Sequence, residues 1–206
     1  MKKITVGIVD YGFGNISSLY GCLMSLGFSV NVSSKKSLLR KSDILFLPGV
    51  GAFDSGMKSM NQKNLVEFIQ RYHANGKPIV GICLGMQLLF SSSEEGQAIK
   101  GLSLLPGRIT RIKTESAHIG WNKINILKKR SFFKEYDQKH FYFNHTYSFS
   151  GSKKIVTANA EISSKNEEVS SIVRKGNIVG LQFHPEKSQK NGADLLNAII
   201  MDAYNA

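Results

Sequence analysis

The chain has 206 residues, 42% of them hydrophobic and 20% charged, which suits one well-cored globular domain spanning residues 1–206. No run approaches the roughly 18 consecutive apolar residues of a membrane-spanning helix, so no membrane partner is expected. The formal net charge of +12 points to nucleic acid, to an acidic docking partner or to a lysine-rich proteome, and on its own it does not choose among them.

The apolar run Ile4–Val9 is too short for a signal peptide and is followed by Asp10, so it is expected to be a buried first strand. Asp10-Tyr-Gly-Phe-Gly14 ends it. Gly12 and Gly14 hint at a phosphate loop, but Ser17 stands at the third glycine position and no Walker lysine follows, so a tight turn is expected. Asn15 is a candidate N-cap for a helix to Leu26, with Leu19, Cys22, Leu23 and Leu26 on one face and Gly27 as its stop. Cys22 and Cys83 are the only cysteines, which makes no disulfide framework and points to a reducing cytoplasm. Phe28–Val32 is expected as a second strand, Ser37–Arg40 as a short helical connector, and Asp43–Pro48 as a third, fully apolar strand. A polar, methionine-containing stretch leads to a helix over Asn64–Ala74. Pro78–Ile82 is a fourth strand, and Leu84–Phe90 starts an apolar helix. This β-α-β-α-β order predicts an α/β fold with an open, largely parallel sheet, whose ligands gather at the carboxyl ends of the strands. Ser91–Gly101 is polar and loop-like. Strands are expected at Gly107–Lys113, Ile119–Leu127, Phe141–Phe149, Ile155–Ala160, Val169–Arg174 and Asn177–Phe183, continuing the domain in antiparallel fashion. The densest basic cluster, Lys128-Lys129-Arg130 with Lys123, Lys134 and Lys139, is diluted by Glu135 and Asp137 and lacks a nucleic-acid motif, so no nucleic-acid partner is expected. Gly192–Tyr204 closes the chain as an amphipathic helix.

The chemistry concentrates at Gly81-Ile-Cys-Leu-Gly85, where strand gives way directly to helix. A nucleophile on so sharp a turn needs small flanking residues, and the helix start favours a thiolate and a developing oxyanion. The other reading of Cys83 is a buried core cysteine. A nucleophilic cysteine requires a base and an orienting carboxylate. His184-Pro-Glu186 follows a strand, and in extended geometry residues two apart point the same way; the competing reading is a surface turn. Gln87, four residues after Cys83, shares its helical face and either contacts substrate or bonds to the backbone. His73 is expected to be solvated. His118 and His140 lack metal-ligand partners, no cluster has zinc spacing, and no metal or other cofactor is expected.

Leu47-Pro-Gly-Val-Gly51, Gly81-Ile-Cys-Leu-Gly-Met-Gln87 and Phe183-His-Pro-Glu186 together resemble the class I, triad-type glutamine amidotransferases. Asp10–Asn15, His118-Ile-Gly-Trp-Asn122, Tyr142–Tyr147 and His184-Pro-Glu-Lys-Ser188 resemble the glutaminase subunits of imidazole glycerol phosphate synthase, and the likeness spans essentially the whole chain. It implies a flavodoxin-like sheet with Cys83 as nucleophile, His184 as general base and acid, and Glu186 orienting the imidazole. It also implies an oxyanion hole at Gly51 and Leu84, and glutamine contacts at Gly49, Val50, Gln87, His145, Thr146 and Tyr147. The implied partner is a (β/α)8 barrel cyclase, bound as a heterodimer, that receives ammonia from L-glutamine and makes imidazole glycerol phosphate and aminoimidazole carboxamide ribotide in histidine biosynthesis. Lys187, beside the triad, is the candidate interface residue. Thr146 in place of serine, Asn144 in place of an apolar residue and the absence of an arginine after Asn15 depart from the pattern. They fit a divergent relative, so a paralogue supplying ammonia for amidino-sugar synthesis is the second reading. A non-catalytic protein on the same scaffold is the third, against which all three triad residues stand.

Overall fold

The computed structural model describes residues 3–96, 99–114, 116–128, 131–162 and 167–205. Lys129 and Arg130 of the basic cluster lie outside the described residues. The first half alternates as expected: β1 (Thr5–Val9), α1 (Ile16–Ser25), β2 (Ser29–Ser33), α2 (Lys36–Leu39), β3 (Ile44–Leu47), α3 (Phe53–Gln62), α4 (Leu65–Ala74), β4 (Ile79–Ile82) and α5 (Leu84–Gln87). Then come β5 (Arg108–Arg111), β6 (His118–Ile126), β7 (His140–His145), β8 (Tyr147–Ser150), β9 (Val156–Glu161), β10 (Glu168–Lys175), β11 (Ile178–Leu181) and α6 (Gln189–Asn205). Short 3-10 turns cover Phe132–Tyr136, Lys153–Ile155 and Pro185–Lys187.

Nine strands form one sheet in the order β2-β1-β3-β4-β11-β10-β9-β6-β7. The first five are parallel neighbours and the pairs from β11 outward are antiparallel. The fold class therefore stands, with one correction to the second half. β11 is antiparallel to β10 on one side but lies parallel to β4 on the other, register Leu181 to Ile82. The strand that delivers His184 is thus beside the strand that delivers Cys83.

β3, β4 and β11 are buried at every position, because helices cover both faces of the sheet. On one face Val6, Ile8, Phe46, Val80 and Leu181 meet Leu19 and Leu23 of α1 and Leu195, Leu196, Ile199 and Ile200 of α6. On the other, Leu45, Leu47, Ile79 and Ile178 meet α3 and α4. Each such aliphatic side chain contributes about 1.5–3 kcal/mol of burial.

Several local expectations change. Asn15 precedes α1 but its side chain makes no capping bond. The methionine-containing stretch is a helix, α3, whose Phe53, Met57 and Met60 are buried at helical spacing; its Gly, Ser and Asn content masked the period. α5 is a single turn, with Leu88, Leu89 and Phe90 buried beyond it. Phe141–Phe149 is not one strand. It breaks at Thr146, after which β8 leaves the main sheet and pairs with β5. His73 is half-buried, with Nδ1 enclosed and unbonded.

Candidate active site

Cys83 sits between β4 and α5 with φ 52° and ψ −111°, a backbone conformation that side-chain-bearing residues rarely adopt and that commonly marks functional strain. The chain holds it there by close approach on both sides. A Cβ at Gly85 would lie 1.7 Å from the Leu47 carbonyl oxygen, and one at Gly81 2.7 Å from the Gly85 oxygen and from the Met86 backbone. Glycine at those positions is a steric requirement of the elbow. The Cys83 amide donates to the Leu181 carbonyl at 2.7 Å, locking the turn to β11. Because α5 is one turn long, it has little macrodipole to lend the sulfur. What it offers are the backbone N–H groups of its first turn, which have no helical acceptor.

Beyond β11, Gln182 and Phe183 are fully buried and His184 is 1% exposed. His184 Nδ1 and Glu186 Oε1 lie 2.8 Å apart, each side chain 2% exposed. The pair forms as expected but through different geometry. Pro185–Lys187 is a 3-10 turn rather than an extended segment, and the turn brings Glu186 back under the ring. Burial by itself lowers the proton affinity of His184; the Cys83 sulfur and the Glu186 carboxylate outweigh that and raise it well above the ordinary histidine value. His184 Nε2 is buried without a well-aligned partner, which leaves it for the thiol and for whatever the thiol attacks. Cys83 itself is 5% exposed, its sulfur 3.6 Å from the Asn144 carbonyl and 4.0 Å from Gln182 Nε2.

Residues not singled out in the sequence hold this turn. Ser188 Oγ donates to the His184 carbonyl at 2.6 Å and accepts from the Tyr142 amide at 3.0 Å, while the His184 amide donates to the Tyr142 carbonyl at 2.8 Å. Phe183 stacks on Phe141 at 4.3 Å. The only sequence signal for Ser188 was its place in the His184–Ser188 run.

In front of the sulfur is a cavity of about 350 Å3 lined by Val50, Gly51, Cys83, Leu84, Gln87, His145, Thr146 and Tyr147, and also by Ala52, Glu95 and Asn144. Gly49, His184 and Glu186 are not among the residues that line it. Gly49 packs so closely that a Cβ would come 2.5 Å from the Tyr11 hydroxyl and 2.7 Å from the Gly85 amide. The buried Tyr11 hydroxyl donates to the Pro48 carbonyl, and burial, with the Cys83 sulfur adding, keeps that hydroxyl protonated. Gly51 has φ 106°. Gln87 Nε2 donates to the Tyr147 carbonyl at 2.9 Å, the backbone role left open by the sequence. His145 spends Nδ1 on the same carbonyl and Nε2 on His118, at 2.9 Å each, so its ring borders the cavity with both nitrogens engaged. Glu95 Oε2 accepts from the Phe53 amide at 2.8 Å and brings a carboxylate to the cavity; the polar 91–101 stretch gave no warning of it.

Lys187 is exposed on the turn that carries His184 and Glu186, its Nζ 5.9 Å from the centre of the Tyr142 ring. Tyr142 in turn meets Trp121 edge-on at 6.0 Å. Trp121 and Ile119 are 46% and 62% exposed. Among the described residues no group of three or more His, Cys, Asp or Glu side chains is placed to hold a metal, and no helix is long and apolar enough to cross a membrane.

Comparison with known proteins agrees with this geometry. The family description glutamine amidotransferase class-I matches residues 7–203. The chain is 41% identical over 205 residues to the imidazole glycerol phosphate synthase subunit HisH of Halalkalibacterium halodurans, covering 93% of this chain and 92% of that protein. It is 38% identical to the subunit of the same name from Moorella thermoacetica, covering 98% of each. Among solved structures, the PurLQS structure from Thermotoga maritima superposes with a TM-score of 0.77 at 19% identity over 98% of this chain and 99% of that chain. A structure described as glutamine amidotransferase gives 0.76 at 18%, again over 98% and 99%; these two likenesses establish the fold. An elbow cysteine, a buried histidine–carboxylate pair and a match along nearly all its length agree: the chain belongs to the class-I glutamine amidotransferase family, alongside the imidazole glycerol phosphate synthase subunits HisH.

Proposed function

We propose that the chain is the glutaminase subunit of an imidazole glycerol phosphate synthase, hydrolysing L-glutamine through a Cys83–His184–Glu186 triad. The observation that carries this is the strained Cys83 set against a fully enclosed His184–Glu186 pair. The Cys83 sulfur attacks the side-chain carboxamide carbon of glutamine, and a tetrahedral oxyanion forms. The C–N bond breaks as protonated His184 gives its proton to the departing nitrogen, releasing ammonia and leaving a glutamyl thioester. His184 then takes a proton from water, the hydroxide equivalent attacks the thioester, the C–S bond breaks, and glutamate leaves. The raised proton affinity of His184 suits the first half of this cycle, because it keeps a proton ready for the poor leaving group.

Leu84 and Gly51 would supply the oxyanion's N–H donors, one from the start of α5 and one from the Pro48–Gly51 loop. The positive φ of Gly51 makes a reorientation of that peptide cheap, which suits a loop that arms the site only on demand. Gly49, Val50, Gln87, His145, Thr146 and Tyr147 form the rest of the glutamine site, Gly49 by its close packing and the others on the cavity wall. Glu95 is positioned to meet the substrate's α-ammonium.

The ammonia acceptor belongs to a second subunit, a (β/α)8 barrel cyclase. Exposed Ile119, Trp121 and Lys187, with half-buried Tyr142 between Trp121 and Lys187, have the aromatic and basic character of a docking face. Glutamate release by the isolated chain should be weak, rise when the barrel and its ligand are added, and vanish in Cys83→Ala. Unchanged release in Cys83→Ala would overturn the mechanism. A cyclase partner that raises no activity would redirect the pathway assignment to an amidino-sugar synthase.

A further inference from the structure

A buried tyrosine hydroxyl ties the backbone at each end of β3. Just before the strand, Tyr72 of α4 donates to the Ser42 carbonyl at 3.0 Å. Just after it, Tyr11 donates to the Pro48 carbonyl. This second tie falls on the first peptide of the Pro48–Gly51 loop, beside the elbow. A Cβ on Gly49 would lie 2.5 Å from the Tyr11 hydroxyl and 2.7 Å from both the Gly85 amide nitrogen and the Leu84 Cβ. The hydroxyl therefore stands where the loop meets the residues that follow Cys83.

Tyr11 is itself held from several sides. It is fully buried, and its ring stacks on Phe13 at 6.0 Å. Its carbonyl accepts from Ser59 Oγ of α3. Asp10, just before it, donates its amide to the Ser33 carbonyl at 2.9 Å and accepts at its carbonyl from Lys63 Nζ at 3.2 Å. Burial raises the proton affinity of the Tyr11 hydroxyl above the ordinary tyrosine value, so it remains a donor.

The loop is fixed at one end and free beyond it. Pro48 has a ring-locked φ. The Pro48–Gly49 peptide lies against Gly14, where a Cβ would come 3.1 Å from the Pro48 carbonyl carbon and 3.2 Å from the Gly49 nitrogen. Its oxygen is committed to Tyr11. Past that peptide Val50 is exposed, and among the described residues neither the Val50 nor the Gly51 amide donates to a backbone carbonyl. A peptide turns as one planar unit. With the first one held, Gly49–Val50 and Val50–Gly51 are the peptides left to turn an N–H toward the sulfur.

We propose that Tyr11 is a positioning residue for glutamine hydrolysis: its hydroxyl holds the start of the Pro48–Gly51 loop at the elbow, so that the loop's free N–H groups and that of Leu84 address one oxyanion. The proposal rests on the glutaminase reading. Tyr11 does not line the cavity, so it acts on the donors rather than on the substrate. Its hydroxyl matters where negative charge develops, in the transition state, and little in the ground state.

Tyr11→Phe removes the hydroxyl and keeps the ring with its packing. Tyr72→Phe is the matched control, the same deletion at the other end of β3. Glutamate release is measured for both variants in complex with the barrel partner and its ligand, below their melting temperatures. Tyr11→Phe should lower kcat about tenfold or more and leave KM within about twofold. Tyr72→Phe should keep both constants within about twofold, whatever its effect on Tm. A second readout separates the oxyanion from the nucleophile. Iodoacetamide alkylates the Cys83 sulfur by displacing iodide from a saturated carbon, and no oxyanion forms. That rate, followed at Cys83 by mass spectrometry, should stay within about twofold of wild type in Tyr11→Phe. Wild-type kcat in Tyr11→Phe, or a rise in KM alone, would overturn the positioning role. So would an equal loss of kcat in Tyr72→Phe, which marks a general loosening of β3, or alkylation slowed as much as turnover, which puts the effect on the thiol. A wild-type complex that does not hydrolyse glutamine would instead overturn the glutaminase reading, and with it the reaction that Tyr11 serves.

Discussion

Replacing Gly85 by alanine adds one methyl group at the point where α5 lies on β3. That carbon would fall 1.7 Å from the Leu47 carbonyl oxygen and 2.6 Å from the Leu47 carbonyl carbon, against about 3.4 Å for ordinary contact. Both atoms belong to the backbone at the end of a fully buried strand, so no side chain can swing aside. Either the elbow or β3 must move by more than 1 Å, or the fold must absorb overpacking of about 3 kcal/mol. For a chain of this size that corresponds to a fall in Tm of about 6–12 °C. A displacement of that size at Cys83 would also lower kcat/KM about 100-fold. Gly21→Ala is the matched control. Gly21 lies within α1, exposed, with nothing within 4 Å of a new Cβ, so the same substitution should stabilise by about 0.5–1 kcal/mol and leave activity unchanged. Thermal unfolding and glutamine turnover on both variants make the assay. A Gly85→Ala protein with wild-type Tm and turnover would refute the claim that close approach of α5 to β3 builds the elbow.

Glu186→Gln removes one of the two groups that raise the proton affinity of His184, so NMR titration should show its pKa falling, and kcat should drop about 100-fold or more; an unmoved pKa would refute the coupling. Because His184 binds its proton more tightly folded than unfolded, the stability it contributes is complete below about pH 6.5 and is lost as pH rises through the folded value. Urea midpoints above that pH should therefore fall more steeply for the wild type than for Cys83→Ala. Ser188→Ala leaves the part-buried Tyr142 amide without its acceptor and removes the buried bond to the His184 carbonyl, freeing the His184 turn, so stability should fall by about 1–3 kcal/mol and kcat should fall with it. Trp121→Ala should weaken binding of the proposed barrel partner about tenfold or more in calorimetry without changing the Tm of the isolated chain, and Lys187→Glu should also weaken it, by a smaller factor.

How much of this was legible in the sequence depended on range. The elbow was readable because a glycine two residues on each side of a cysteine at a strand–helix junction is a local pattern, and the reason given for the glycines is the one the close contacts bear out. The His184–Glu186 pair was readable as a pair, but its geometry was not, since Pro185 favours both an extended bend and the first step of a 3-10 turn. The parallel return of β11 was hidden, because an Ile-Val-Gly-Leu strand reads alike in either direction. α3 was hidden by poor helix formers whose burial against Leu84 and Leu88 overrides propensity. The His118–His145 contact could not be seen at all. It depends on the β6–β7 register, and nothing within either strand states which residue of one faces which residue of the other.

The placement of β11 between β4 and β10 has a consequence for how the protein comes into being. Cys83 and Gln182 meet across 99 positions of sequence, so a ribosome exposes the thiol long before it delivers the imidazole. Until β11 docks, β4 is an unpaired apolar edge, the kind of template on which growing chains aggregate. The same insertion that seals this edge also sets His184 in place. Completion of the sheet and the meeting of Cys83 with His184 are therefore one event, so under the proposed mechanism a partly made subunit exposes an unarmed cysteine.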